Sequence, residues 1–258
     1  MATTPSSHAI SQYATTTDNL TARIALHDFG TNPQDWFSWL GERLPLAGEV
    51  LEVGAGTGRL WTHVDHRARR LRLTLTDFSP AMCERLRVIC GGQVVRCDAV
   101  GLPFPDASFD TVIANHMLYH LDDPAAALRE FARVLRSGGR LAVALNGRDH
   151  LHELATIASA IGRPDLAPAV SLNDFMAETG PARMARYFAD VAVERYRCDL
   201  DIPAADPIVA YLDSLADQPL TARQRSAADA LIQAHIDVHG VYHVRKHTVL
   251  ITASRRTA

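Results

Sequence analysis

Two kinds of apolar spacing alternate along the middle of this chain. Short apolar runs rich in leucine and β-branched residues recur at 50–53, 71–76, 94–97, 111–114 and 141–145, and each reads as a strand. Between them the apolar positions spread to helical spacing. Ser79-Pro80 predicts a helix to about residue 88, because serine caps a first turn and proline fits within it. Asp123-Pro124 opens another to about residue 135, with Ala127, Leu128, Phe131, Val134 and Leu135 on one face and Ser137-Gly138-Gly139 as its stop. Strands alternating in this way with helices predict a parallel α/β sheet covered on both faces.

Past residue 145 the rhythm loosens. Helices are predicted over 150–161, 172–180 (with Asn173 as cap), 207–215 and 222–239, and strands over 191–197 and 248–253. A late pair of strands separated by helices implies an antiparallel edge on the sheet. No repeat or Gly/Ser linker divides the chain, so the pattern predicts one domain: an arm over 1–46, a core over 47–147, and helical insertions over 148–190 and 203–245.

Composition narrows the picture by exclusion. With 258 residues, 47% of them apolar, the chain can bury a full α/β core. A net charge of −3 gives no electrostatic reason to expect nucleic acid or an anionic membrane as partner. The basic run at 67–72 reads as solvated surface. Residues 1–17 lack the basic and apolar regions of a signal peptide and read as a polar arm. No apolar stretch approaches the roughly 18 residues of a membrane span, so a cytoplasmic setting is expected. Cys83, Cys90, Cys97 and Cys198 form no CxxC pair, which argues against zinc or redox chemistry.

The chemistry gathers around the first strand. Residues 51–58 read LEVGAGTG: a strand ending in an acid, then glycine at every second position. Glycine tolerates unusual φ and lets the backbone approach a ligand. Further on stand LTDFSPAM (75–82), CDAVGLPFPDASFDTVIANHMLYHL (97–121) and VLRSGGRLAVALNG (134–147). With these four motifs in this order, the chain resembles the class I S-adenosylmethionine-dependent methyltransferases of small-molecule type. The resemblance is strong from 50 to 146 and looser elsewhere. It implies a Rossmann-like, doubly wound, seven-stranded sheet, mostly parallel with an antiparallel edge strand, and a helical lid over the substrate. It also implies S-adenosylmethionine as cofactor, S-adenosylhomocysteine as product, a small-molecule acceptor in specialised metabolism, and a monomer or homodimer.

The resemblance places Gly54, Ala55, Gly56 and Gly58 against the methionyl part of that cofactor, with Glu52 orienting the loop or meeting the ammonium. Asp77, ending the second strand, would accept hydrogen bonds from the ribose hydroxyls, as acids so placed do in dinucleotide folds. Phe78 and Met82 would flank adenine, Asp98 would accept from its amino group, and Ala99 would offer backbone. Asn115 and His116 follow the fourth strand, at the carboxyl edge where open α/β sheets bind ligands.

Three residues are candidates for catalysis. His120 is a candidate base or hydrogen-bond partner, because histidine as a residue type ordinarily titrates near neutral pH. Tyr13 resembles the tyrosine that the family's N-terminal segment brings over the cofactor. His27, four residues from Arg23 on a plausible helix, would face the acceptor with it. His235, His239 and His243 share a spacing of four, but Gly240 interrupts that helix, so no metal site is assigned.

Three other readings compete. A nicotinamide oxidoreductase would place its third glycine at 59, where Arg59 stands, and the Tyr242–Lys246 spacing is read as chance. An enzyme that breaks another bond of S-adenosylmethionine, as in a cyclisation releasing methylthioadenosine, would share every cofactor motif. A non-catalytic binding module is disfavoured by the intact glycines and acids.

Overall fold

A computed structural model describes residues 23–89, 91–167, 173–216 and 218–257. Residues 23–25 are helical and run into a short 3-10 turn, Leu26–Phe29; helix α1, Trp36–Arg43, follows, and Asp35 caps it by accepting from the amides of Phe37 and Ser38. The alternation follows: β1 (Glu49–Val53), α2 (Leu60–His63), β2 (Arg72–Asp77), α3 (Pro80–Leu86), β3 (Gly92–Arg96), β4 (Phe109–Asn115), α4 (Pro124–Val134) and β5 (Leu135–Asn146). Beyond it come α5 (His152–Ala160), α6 (Gly180–Met184), β6 (Phe188–Tyr196), β7 (Leu200–Ile202), α7 (Asp206–Leu215), α8 (Ala222–His239), β8 (Tyr242–Val244) and β9 (Thr248–Arg255).

Seven strands form one sheet in the order β3-β2-β1-β4-β5-β9-β6. The first five pair in parallel; β9 runs antiparallel to both β5 and β6. The doubly wound sheet with its antiparallel edge region is therefore present, with β9 one place in from the outermost strand.

Alternation along the strands divides the core. Leu51, Val53, Val112, Ala114, Leu141, Val143 and Leu145 pack with Leu128, Phe131 and Val134 of α4 on one face. Val50, Leu73, Leu75, Ile113, Ala142 and Leu250 pack on the other face with Trp39, Leu40, Leu60 and Leu86 of α1 to α3. This is the period-two pattern of a sheet buried on both sides. A third cluster lies among the late elements, where Leu154, Ile157, Ile202, Leu212, Ile232 and Val244 pack together. The inserted elements thus have an apolar core of their own.

Two expectations need correction, and one pair of strands was not expected. Residues 173–179 form turns, and the helix begins only at Gly180. Asn173 and Asp174 explain this. The Asn173 side chain accepts from the Phe175 amide and donates to the carbonyls of Leu118 and Leu121, and Asp174 has φ +57°. Side chains that bond to nearby backbone offer an alternative to helix. Helix α4 stops at Val134, and Leu135 already begins β5 with φ −71° and ψ 142°. A register shift between Phe109 and Thr111 lets the sheet take up Ser137-Gly138-Gly139. Finally, β7 and β8 form a separate two-stranded sheet of three residues each, too short to show alternation in the sequence.

Candidate functional site

The chain leaves β1 through a loop whose glycines are all left-handed: φ is +69° at Gly54, +57° at Gly56 and +71° at Gly58. Their surroundings differ. A Cβ on Gly54 would lie 2.9 Å from Met117 Cβ, and one on Gly58 would lie 2.3 Å from Ile89 Cδ1. A Cβ on Gly56 would meet nothing within 4 Å among the described residues. Gly54 and Gly58 are therefore constrained by packing, whereas Gly56 presents bare backbone to an open space. The Ala55 amide donates to Thr76 O at 2.9 Å, tying the loop to β2.

Two acids end their strands beside this loop. Asp77 accepts from the Gly56 amide at 2.9 Å through Oδ2 and from the Ser79 amide at 2.8 Å through Oδ1. One carboxylate thus shapes the glycine turn and starts α3, and each oxygen keeps a further lone pair. Desolvation raises its pKa, while the amides of Ser79, Gly56 and Phe78 oppose the rise. Glu52 is 2% exposed and accepts from Trp61 Nε1 at 2.5 Å. Burial lifts its pKa to about 8, against the Trp61 bond and with repulsion from Asp77. Glu52 is held by Trp61, a partner absent from the sequence reading.

The adenine candidates sit around the end of β2 and the segment after β3. Phe78 is 49% exposed and lies under the Arg96 guanidinium at 5.8 Å. Met82 and Ala99 are buried, both at 5% exposure. Asp98 is exposed, and its Oδ1 accepts from the Val100 amide at 3.1 Å. The segment carrying Asp98 is bolted to α4: Arg133 donates to the carbonyls of Leu102 and Phe104 and to Asp106, and Glu130 accepts from the Leu102 amide.

At the end of β4, Asn115 Oδ1 and His116 Nδ1 are buried without a hydrogen-bond partner among the described residues. His116 has φ +54° and donates its amide to Ala144 O at 3.1 Å. Its ring is 5.4 Å from Trp36. Desolvation, with repulsion from Lys246 and His120, takes its pKa to about 3. His120 closes a 3-10 turn and packs on Tyr119 at 4.5 Å between ring centroids.

Of the N-terminal candidates, Tyr13 lies outside the described residues. Arg23 donates to Ser214, through Nε to its hydroxyl at 3.3 Å and through Nη2 to its carbonyl at 2.7 Å. That ties Arg23 to α7. His27 is exposed as a residue, but its ring approaches that of His150 to 6.3 Å. Desolvation of the imidazole and repulsion from Lys246, His116 and Arg59 lower its pKa to about 3.

Two residues that sequence reasoning did not assign also stand here. His150 is 8% exposed, and its Nδ1 faces the His247 amide at 3.2 Å. Lys246 is 6% exposed, with its ammonium 5.3 Å from the Tyr196 ring centre. The one signal for Lys246 was its cation beside the apolar run of the last strand. The three helical histidines do not converge: Gly240, at φ +83°, ends α8 and sends His243 onto β8, where it pairs with Asp201 at 2.8 Å.

Residues 51–143 match a family described as a methyltransferase domain. Over 99 residues the chain is 37% identical to the ubiquinone/menaquinone biosynthesis C-methyltransferase UbiE of Desulfotalea psychrophila, covering 37% of this chain and 40% of that protein. Over 199 residues it is 28% identical to a malonyl-(acyl-carrier protein) O-methyltransferase of Xylella fastidiosa, covering 76% of this chain and 65% of that protein. The chain therefore spans less than two thirds of these curated relatives. Its fold is shared with a solved methyltransferase-like structure from Bacillus halodurans, at a TM-score of 0.59 and 17% identity over 86% of this chain and 99% of that one.

Proposed function

We propose that the chain, whose residues 51–143 match a methyltransferase domain, is a class I S-adenosylmethionine-dependent methyltransferase that transfers a methyl group from S-adenosylmethionine to a small-molecule acceptor. The observation that carries this reading is the Gly56–Asp77 cradle. Bare backbone faces open space, and a carboxylate with unused lone pairs stands beside it at the carboxyl edge of the sheet. That arrangement fits a ribose-bearing, amino-acid-bearing cofactor. Asp77 would hold the hydroxyls, the loop of Gly54 to Gly58 the methionyl part, and Phe78, Met82, Asp98 and Ala99 the adenine. The orphaned Asn115 Oδ1 is an acceptor suited to a ligand ammonium. When bound, the cofactor supplies an electrophilic methyl group, and the protein's task is alignment and exclusion of water.

The chain's own groups would do the rest. His120, with His27 and Tyr13, would hold the acceptor or take its proton. The elements between 148 and 190 and between 203 and 245 would cover it as a lid. A cytoplasmic setting goes with this reading, and among the described residues no helix is long and apolar enough to cross a membrane.

Two measurements test the proposal. Calorimetry with S-adenosylmethionine should show one site per chain, and turnover of an accepted compound should yield S-adenosylhomocysteine. Methylthioadenosine as the product would replace methyl transfer by another reaction at the sulfonium. Absence of binding would remove the cofactor altogether.

A further inference from the structure

Beyond the cofactor corner, four polar groups from four distant segments converge at the carboxyl edge of the sheet. His27 comes from the 3-10 turn before α1, His116 from the end of β4, His150 from the segment after β5, and Lys246 from the segment before β9. Lys246 is the unusual member. It is 94% buried, given its 6% exposure, yet its ammonium has no hydrogen bond or carboxylate within ion-pair distance among the described residues. Asp199 accepts from the Lys246 backbone amide at 2.9 Å and lies 3.7 Å from His243 Nε2; with Cys198 it attracts the ammonium only through space, against the desolvation that lowers the lysine's pKa. Around the ammonium stand a tyrosine face and neutral imidazoles. Its charge lowers the pKa of His27, His116 and His150 alike.

A buried charge without a partner is expensive, on the order of several kcal/mol per ion. Among the described residues only the through-space pull of Cys198 and Asp199 offsets it, and an anionic occupant would supply the missing hydrogen bond. The walls say what shape it has. Trp36 packs on Tyr196 at 5.3 Å and on His116 at 5.4 Å, and its indole Nε1 is buried without a partner among the described residues. Aromatic faces and one unused N–H border a single cation.

We propose that Lys246 anchors the acceptor through an ionised oxygen, and that the acceptor is a small aromatic compound bearing a carboxylate or an acidic phenol. Trp36 borders its ring. The ammonium of Lys246 donates to its anionic oxygen, with the imidazoles of His116 and His150 alongside. This names the acceptor class for the methyl transfer proposed above and rests on that reading for its role as acceptor. The anion subsite itself is tested without turnover.

The full chain saturated with S-adenosylhomocysteine is titrated calorimetrically with sodium benzoate and with benzamide, its neutral isostere. A charge-assisted hydrogen bond is worth roughly 10- to 100-fold in affinity, so benzoate should bind about that much tighter. Lys246→Met should abolish the preference, and Lys246→Arg should retain it. The phenolate arm uses 4-nitrophenol, whose yellow ionised form should be enriched on binding. A response in either arm supports the proposal and tells carboxylate from phenolate.

Equal affinity for benzoate and benzamide with no nitrophenol response, or a preference that survives in Lys246→Met, overturns it. Thermal stability gives a second reading: removing an unpaired ammonium should leave the melting temperature of Lys246→Met equal or higher. A variant that fails to fold would mean that Lys246 is a structural cation, and the proposal falls. Preference for benzoate in a chain that does not bind S-adenosylhomocysteine would keep the anion subsite and sink the methyl-donor reading instead.

Discussion

Three glycines in one loop allow the cofactor cradle to be separated from the fold. Gly56 and Gly58 share a left-handed backbone, so alanine at either should cost about 1–2 kcal/mol from backbone strain alone. At Gly58 the added methyl would also stand 2.3 Å from Ile89 Cδ1 and 2.9 Å from Leu86 Cδ2. Leu86 is a core side chain of α3 and Ile89, just after that helix, packs against the same core; overpacking adds about 1–3 kcal/mol. At Gly56 the methyl meets nothing among the described residues. In a chain of this size 1 kcal/mol corresponds to about 2–4 °C in melting temperature. Gly56→Ala should therefore melt only about 2–8 °C lower, while Gly58→Ala should lose roughly twice that or more. Binding should run the other way for the folded variants. The Gly56→Ala methyl projects into the space assigned to the cofactor, and its Kd for S-adenosylmethionine should rise at least tenfold, about 1.4 kcal/mol. Scanning fluorimetry and calorimetry measure both quantities on the same samples. A Gly56→Ala protein that binds the cofactor as tightly as the parent would refute the assignment of this open face.

Two further outcomes follow from the buried ionisable groups. Glu52 has a folded-state pKa of about 8 against an ordinary 4.5, so the folded chain holds a proton that the unfolded chain releases between those values. Stability should fall as pH rises through that window, by about 1.4 kcal/mol per pH unit or roughly 3 kcal/mol from about pH 5 to about pH 7. Glu52→Gln, which can still accept from Trp61, should flatten this slope in denaturant titrations; parallel slopes in the two proteins would contradict it. If His120 takes a proton from the acceptor, His120→Ala should lower kcat by about 10²- to 10⁴-fold with little change in cofactor Kd. His27→Ala should reduce turnover without unfolding, and unaltered kinetics in both variants would return the two histidines to packing.

Legibility in the sequence tracked the distance over which a feature is decided. The alternation from β1 to β5 was readable because Leu51, Val53, Val112 and Ala114 face one layer while Val50 and Ile113 face the other. Gly56 and Asp77 could each be picked out because both belong to strand-end turns, where local chemistry dominates, but the bond between them was not foreseen. The turns at 173–179 escaped because a helical apolar spacing was overridden by the bonds of one side chain, Asn173, to carbonyls some fifty residues away. Lys246 escaped for a topological reason. In parallel strands the residues that follow the strand reach the functional edge, as Asn115 and His116 do after β4. Because β9 runs antiparallel to β5, its beginning lies at that edge instead. Residues just before the last strand, Lys246 among them, are thereby brought to the ligand side, beside His150, which follows β5. A search confined to the ends of strands would pass over them. Once one strand is known to run backwards, the residues before it become candidates on the same footing as those after the others.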